Sequence, residues 1–424
     1  LGLVGSEMCI RDRAMSMENH PSLGGGNEEE KQENSHPSNE PAATPKRSTR
    51  WDTSRPTTAP DFLLSRAHGS IRTQGIEEQL SDPWLAAEGL HSGIHKMVVG
   101  ALPFDLDKPA ALTVPREVIR SSQPLEPPAH YRWNAPKPHA NIVAYDPPLD
   151  EHAERIAAAI RTIEYSALEK VVLARAVELE IDPPIDPLLL ASRLIDGSPN
   201  RDGFVVDLSP AGSDYEGKLL IGSSPEMLVR RTGDIVEAFP LAGSLPRSRN
   251  EEVDRASARR LADSRKNLDE HAFVVDDIAD NLAPLCSSLD VPDSPELMST
   301  AEMWHLATHI RGRLKDPSLS ALDLALVVHP TPAICGTPTE SAFGVIQAVE
   351  TDRGFYSGAV GWCDENGDGE FVVSIRCAEI DTEGSVARLW AGGGIVSHSA
   401  PEEEVTETSA KMGTVLRAFG VKGA

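Results

Sequence analysis

Cysteine is scarce in this chain, positive charge is in deficit, and no apolar run is long. Five cysteines in 424 residues are too few and too scattered for a disulfide framework, and none stands in a CxxC pair. A reducing cytoplasm is the expected compartment. Lys and Arg number 40 against 65 Asp and Glu, a formal net charge of −25. Such a surface repels phosphate backbones and anionic lipid, which argues against nucleic acid or a membrane surface as partner. An anionic substrate would need a local cluster of cations or a metal. No apolar run approaches the roughly 20 residues of a bilayer span. What is present is ordinary globular usage, 40% hydrophobic and 25% charged, enough for one large domain or two of medium size.

Residues 1–58 do not read as a folded unit. "LGLVGSEMCIRDR" has an apolar start and a basic end, the reverse of a secretory signal. It reads as translated cloning or adapter sequence, with a native start expected near Met15 or Met17. The Pro-, Gly-, Ser-, Asn- and Glu-rich stretch that follows cannot bury enough apolar surface to offset chain entropy, so disorder is expected. A single catalytic domain is expected over residues 59–424.

Within it, "SGIHKMVVGALPFD" predicts a strand and the Pro-rich segment after it a loop. "DEHAERIAAAIRTIE" places Ile156, Ile160 and Ile163 on one helical face. "KVVLARAVELEI" and "VARLWAGGGIV" predict strands, and "DENGDGE" the turn of a hairpin. One long helix is expected from about Glu251 to Leu282, its first turn rich in acids. Strands and helices come in blocks rather than in strict alternation, which favours an α+β fold with antiparallel sheets.

Candidate chemistry is concentrated in a few segments. In "HSAPEEEVTETSAKMG" the Ser399-x-x-Glu402 spacing predicts a capping box with Pro401 in the first turn. Glu404, Glu407 and Lys411 then share one helical face. Two carboxylates one turn apart suit a hard cation such as Mg²⁺; a solvated face with a Glu407–Lys411 pair explains the spacing as well. The glycines Gly392, Gly393 and Gly394 just before allow close approach of backbone to a ligand. Lys170, at a strand edge, reads as a solvated gatekeeper, or as a base if buried. Glu226 follows a Ser-Ser-Pro turn in an apolar context, where desolvation would make it a general acid. Glu270-His271 is either a surface pair or a third carboxylate for a metal. "HPTPAICGTPTE" is a rigid loop of the kind placed against ligands, with Cys335 packed inside it. Arg376, in an apolar strand, needs a partner, either an internal carboxylate or a substrate one.

In order along the chain, "EKVVLAR", "SSPEMLV", "PLAGS", "DEHAFVV", "WHLAT", "HPTPAICGTP", "FYSGAVGWCD", "IRCAEI", "AGGGIV" and "EEEVTETSAKM" resemble the chorismate-utilising enzymes, over roughly residues 151–420. The resemblance implies an α+β fold of two packed antiparallel β-sheets flanked by helices, and a monomer. It implies a cytoplasmic, Mg²⁺-dependent enzyme acting on chorismate. Within the family the chain looks closest to isochorismate synthases, isomerases whose product feeds siderophore or menaquinone biosynthesis. By that resemblance Lys170 activates the water that attacks ring C2, and Glu226 protonates the departing C4 hydroxyl. His305 matches an active-site histidine. Glu270, Glu404 and Glu407 hold the metal against the ring carboxylate. Tyr356, Arg376, Gly392 and Lys411 meet the enolpyruvyl carboxylate, and Gly243 and Ser244 line the ring carboxylate. Aminodeoxychorismate synthases carry a nucleophilic lysine where this chain has Ala242. Salicylate synthases, the main alternative, have a threonine where it has Ala333. A catalytically silent chorismate-binding protein is the alternative outside enzymology. Some relatives carry an acid where this chain has Asn267, one turn before Glu270.

Overall fold

The computed structural model describes residues 60–133 and 136–422; the expected leader, with Met15 and Met17, lies outside them. Twenty strands lie in the described residues. They are β1 (Phe62–Arg66), β2 (Gly69–Leu80), β3 (Met97–Leu102), β4 (Ala111–Ser121), β5 (Ala140–Asp146), β6 (Lys170–Ile181) and β7 (Gly203–Asp207). Next come β8 (Lys218–Gly222), β9 (Met227–Thr232), β10 (Ile235–Phe239), β11 (Leu241–Pro246), β12 (Cys286–Asp290), β13 (Glu296–Ser299) and β14 (Met303–Ala307). The last are β15 (Ile310–Leu314), β16 (Gly336–Thr337), β17 (Ala359–Asp364), β18 (Gly369–Val373), β19 (Cys377–Asp381) and β20 (Val386–Val396). The helices are α1 (Pro83–His91), α2 (Ala129–Trp133), α3 (Leu149–Tyr165), α4 (Pro187–Gly197), α5 (Glu251–Ala262), α6 (Arg265–Leu282), α7 (Ala321–Val328), α8 (Thr339–Val349) and α9 (Pro401–Ala418).

Every strand pairing is antiparallel. One continuous ribbon runs β12-β15-β10-β9-β18-β17-β3-β4-β2-β1-β7-β8-β19-β20-β6. The short β16 and the longer β5 share the far side of β6. The ribbon folds over at the long β2–β4 pair, so its two halves face each other as two layers. Between them pack Val99, Val360 and Val372 from one half and Phe62, Phe204, Leu220 and Trp390 from the other. Helices α1, α6 and α7 cover the outside of the first layer. Helices α4 and α9 cover the second, and α3 and α8 a satellite core against β6. The expected fold of two packed antiparallel sheets flanked by helices is therefore present, with hydrogen bonding carried unbroken from one sheet to the other. A separate three-stranded sheet, β11-β14-β13, stands beside it. No helix among the described residues is long and apolar enough to cross a membrane.

Three local expectations need correction. The single helix from Glu251 to Leu282 is two helices. Ser264 leaves the helical conformation and caps α6, its hydroxyl accepting from the Asn267 N–H, because a side-chain oxygen at that position satisfies a donor the helix start leaves free. The Ser399–Glu402 capping box does not form. Ala400 is the residue preceding α9, and the Ser399 hydroxyl donates instead to Glu404 Oε1 at 2.7 Å; Pro401 does stand in the first turn. The loop around Cys335 is partly a strand, for β16 pairs Thr337 with Lys170 and Gly336 with Val171. Cys335 is packed as expected, its thiol pushed up to about 12 by burial.

Two segments carry the chain from one layer to the other and lie side by side. Residues 223–226 lead from β8 to β9, and residues 374–376 lead from β18 to β19. The Ser223 N–H donates to the Arg376 carbonyl at 3.1 Å, and the Val373 N–H to the Glu226 carbonyl at 3.1 Å. Arg376 makes its bend in the left-handed region, φ 51°, uncommon for a side chain with a Cβ. Both crossings deliver a charged residue to one place.

Candidate active site

Glu226, Arg376, Tyr356, Lys411, His305, Ser244, Gly243, Gly392, Ala333 and Glu270 all line one cavity of about 80 Å³. The sequence had marked every one of them. Lys170, Glu404 and Glu407 are not among its lining residues; Lys170 lies against Glu270, and Glu407 against Ser244 and Lys411. A larger, open cavity of about 740 Å³ shares Pro225 and Arg376 with it. The convergent ionisable groups line the smaller one, which identifies it as the candidate site.

Glu226 is 4% exposed. Burial lifts its carboxyl to about 7; the Leu241 N–H that donates to it and the Lys170, Lys411 and Arg376 charges pull only partly the other way. A large fraction of the group therefore keeps its proton at neutral pH. Lys170, the first residue of β6, is 0% exposed, which rules out the gatekeeper reading. Its Nζ lies 3.2 Å from Glu270 Oε1 yet makes no hydrogen bond. Glu270 and His271 are both buried, not a surface pair. His271 Nδ1–H donates to the Ala242 carbonyl at 3.1 Å, so its Nε2 accepts from the Thr308 hydroxyl at 2.7 Å. Burial lowers this imidazole to about 4, which keeps it neutral. It ties α6 to β11 and so places Glu270.

His305 faces Ser244 across the β11–β14 ladder. Arg376 Nη2 donates to His305 Nε2 at 2.6 Å. An arginine cannot accept, so the His305 proton sits on Nδ1. Burial, then the Arg376 and Lys411 charges, keep the ring neutral. Of the two partners expected, Arg376 does not take an internal carboxylate but hydrogen-bonds a histidine, and it stands in the bend before β19 and not in the strand itself. Gly243 adopts φ +76° at a bulge in β11, and a Cβ there would press on Asn267. The Asn267 amide itself turns to Ser264 Oγ at 2.8 Å.

The three glycines of β20 are closely approached. A Cβ on Gly394 would lie 2.1 Å from Glu270 Oε1 and 2.9 Å from Lys170 Cε. One on Gly393 would meet Glu404 Oε2, and one on Gly392 the Tyr356 hydroxyl. Tyr356 stacks on Trp390, centroids 5.7 Å apart and planes 9° apart. Burial pushes its phenol up to about 12.

On α9, Glu404 is 1% exposed. Its Oε1 accepts from Lys266 Nζ at 2.5 Å and from Ser399, while Oε2 has no partner. Burial and then the Glu407 charge raise its pKa. Burial also opposes ionisation of Glu407, but the Lys411 ammonium 2.8 Å away, the Lys266 charge and the Ser244 hydroxyl together outweigh it and hold the carboxyl below its usual range. Ser244 donates to Glu407 at 2.8 Å. Lys411 also donates to the Gly392 carbonyl at 3.0 Å. The solvated-face reading fails for Glu404, which is buried, although the Glu407–Lys411 pair it named does form; Glu402 and Glu403, on other faces of the helix, are exposed.

Among the described residues no group of three or more His, Cys, Asp or Glu side chains is close enough together, as it stands, to hold a metal ion. The donor set nonetheless suits a hard cation. All three candidate carboxylates lie within electrostatic reach of one ammonium, Lys266, and Glu404 keeps a buried oxygen without a partner, which a cation would satisfy.

Sequence reasoning passed over Lys266 and Trp390. Helical spacing carried a signal for the first, since Lys266 stands four residues before Glu270. Strand alternation carried one for the second, since Trp390 lies two before Gly392.

The family described as chorismate binding enzyme matches residues 116–420. The chain belongs to this family. Among its relatives, MenF of Mycobacterium tuberculosis is 44% identical over 365 residues, covering 86% of this chain and 97% of that one. Isochorismate synthase DhbC of Bacillus subtilis is 44% identical over 326 residues, covering 77% and 81%. The crystal structure of DhbC from Bacillus anthracis matches with a TM-score of 0.78 at 37% identity, covering 87% of this chain and 98% of that one.

Proposed function

We propose that this protein is an isochorismate synthase, converting chorismate to isochorismate by adding water at ring C2 as the C4 hydroxyl leaves. The observation that carries the reading is a proton-holding Glu226 and a buried, unbonded Lys170 within electrostatic reach of each other, in a site whose relatives are named for this reaction. Such a reaction needs an acid and a base whose environments differ, and a buried carboxyl with a buried amine meets that need.

Glu226 gives its proton to the departing C4 oxygen, which leaves as water. Lys170, as the neutral amine, takes a proton from the water that forms the new C2–O bond. The ring double bonds shift, atoms balance, and one proton returns from Lys170 to Glu226 between turnovers. Arg376 and Lys411 supply positive charge to a carboxylate that the net charge of −25 would otherwise repel. Tyr356, flat against Trp390, fixes one wall. Ser244 and the Gly243 bulge present polar groups to the second carboxylate. Glu270, Glu404 and Glu407 would hold Mg²⁺, which when bound supplies positive charge beside the ring carboxylate.

The test is to incubate the purified protein with chorismate, with and without Mg²⁺, separate the products by chromatography and assay pyruvate. Isochorismate formed only with Mg²⁺ and without pyruvate is the expected result. Salicylate with equimolar pyruvate moves the assignment to a salicylate synthase, and no product at all leaves a chorismate-binding protein without turnover.

A further inference from the structure

We infer that Lys266 is a tethered counter-ion that occupies Glu404 in the metal-free protein and must be exchanged out when a divalent cation binds. The inference rests on the reading of Glu270, Glu404 and Glu407 as ligands of a hard cation. It adds to that reading a competitor built into the chain.

Each of the three carboxylates has one lysine against it. Lys170 stands by Glu270 at 3.2 Å, Lys411 by Glu407 at 2.8 Å and Lys266 by Glu404 at 2.5 Å. The three lysines are not equivalent. Lys170 is sealed from solvent and belongs to a strand. Lys411 is anchored a second time, on the Gly392 carbonyl. Among the described residues Lys266 makes its only hydrogen bond to Glu404, and its side chain is 22% exposed, so a path to water is open.

Its position also works against it. Lys266 is the second residue of α6, where the free N–H groups and the helix dipole favour anions and disfavour an ammonium. Glu404, with Glu407 and Glu270 further off, offsets that. A divalent cation on these carboxylates removes the attraction and adds repulsion, leaving nothing to hold the ammonium inside. Glu404 is meanwhile half satisfied, one oxygen taken by Lys266 and Ser399 and the other bare. Cation uptake is therefore an exchange of one positive charge for another, and the first turn of α6 reports it.

The experiment is a calorimetric titration of Mg²⁺ into metal-free, substrate-free protein, comparing wild type, Lys266→Gln and Lys266→Arg. Lys266→Gln, which removes the competitor, binds Mg²⁺ more tightly by about tenfold, the scale on which groups next to metal ligands act. Lys266→Arg keeps the charge and binds no more tightly than wild type. Without metal, Lys266→Gln melts below wild type, and saturating Mg²⁺ closes that gap. Equal or weaker binding by Lys266→Gln, while wild type still binds, overturns the exchange and makes Lys266 a support of the bound state. Binding by neither protein refutes the metal reading itself, and the exchange falls with it.

Discussion

Burial lifts Glu226 from 4.5 to about 7, and two measurable consequences follow from the direction of that change. The folded protein holds this proton more tightly than the unfolded chain does. The stability it confers is full below 4.5 and is lost as pH rises towards 7. Glu226→Gln removes the dependence. Above neutral pH the variant is therefore expected to be more stable than wild type, by up to about 3 kcal/mol, since each tenfold change in proton affinity is worth roughly 1.4 kcal/mol. The difference disappears near pH 4. Thermal melts across pH check this; an advantage for the variant that does not change with pH would refute it. The same variant loses turnover, and wild-type kcat/KM falls as pH passes through about 7 because the acid loses its proton. Ala333 lines the cavity at the position where salicylate synthases have threonine. Ala333→Thr is expected to raise pyruvate release from isochorismate, read directly by a pyruvate assay.

Strand β20 and helix α6 define the site between them. Gly394→Ala forces a methyl to 2.1 Å from Glu270 Oε1, closer than any real contact, so the Lys170–Glu270 pair must open. Turnover is expected to drop by about two orders of magnitude, as misplacement near 1 Å can cost, while circular dichroism stays that of the wild type. Retained activity would mean that the pair does not need its present geometry. At this scale the sequence was legible where a single period ruled. Lys170–Ile181 and Val386–Val396 came out as strands, and Leu149–Tyr165 as a helix with Ile156 and Ile163 buried. It was not legible where one side chain had a choice of partners. Ser264 could have continued a helix and caps one; Ser399 could have capped a helix and holds Glu404 instead. Lys170 looked like a surface lysine because strand spacing says nothing of β16 and β20 closing over it from both sides. The carboxylates, Tyr356 and Arg376 were legible through ordered motifs; helical spacing could have placed Lys266 beside Glu270, but its pairing with Glu404 spans 138 residues of sequence, and no local pattern contains that contact.

The whole molecule carries a net charge of −25 and takes a dianion in the proposed reaction. Its outer field opposes approach even though the cavity is locally cationic. Raising ionic strength from about 10 mM to about 150 mM shortens the reach of that field. The value of kcat/KM for chorismate is therefore expected to rise over this range at fixed free Mg²⁺. A steady fall would show that the local cations govern encounter as well as binding.

Glu226 enters at the start of β9 in one layer, and Lys170 at the start of β6 in the other. The spacing between acid and base is thus an inter-layer gap, set by how two apolar faces settle on each other and not by either sheet's hydrogen bonds. Sheets resist stretching far better than the contact between them resists sliding. Hydrostatic pressure acts on void volume in such contacts, so turnover is expected to change with pressure below the pressure at which the fold gives way, as a high-pressure assay beside high-pressure fluorescence would read.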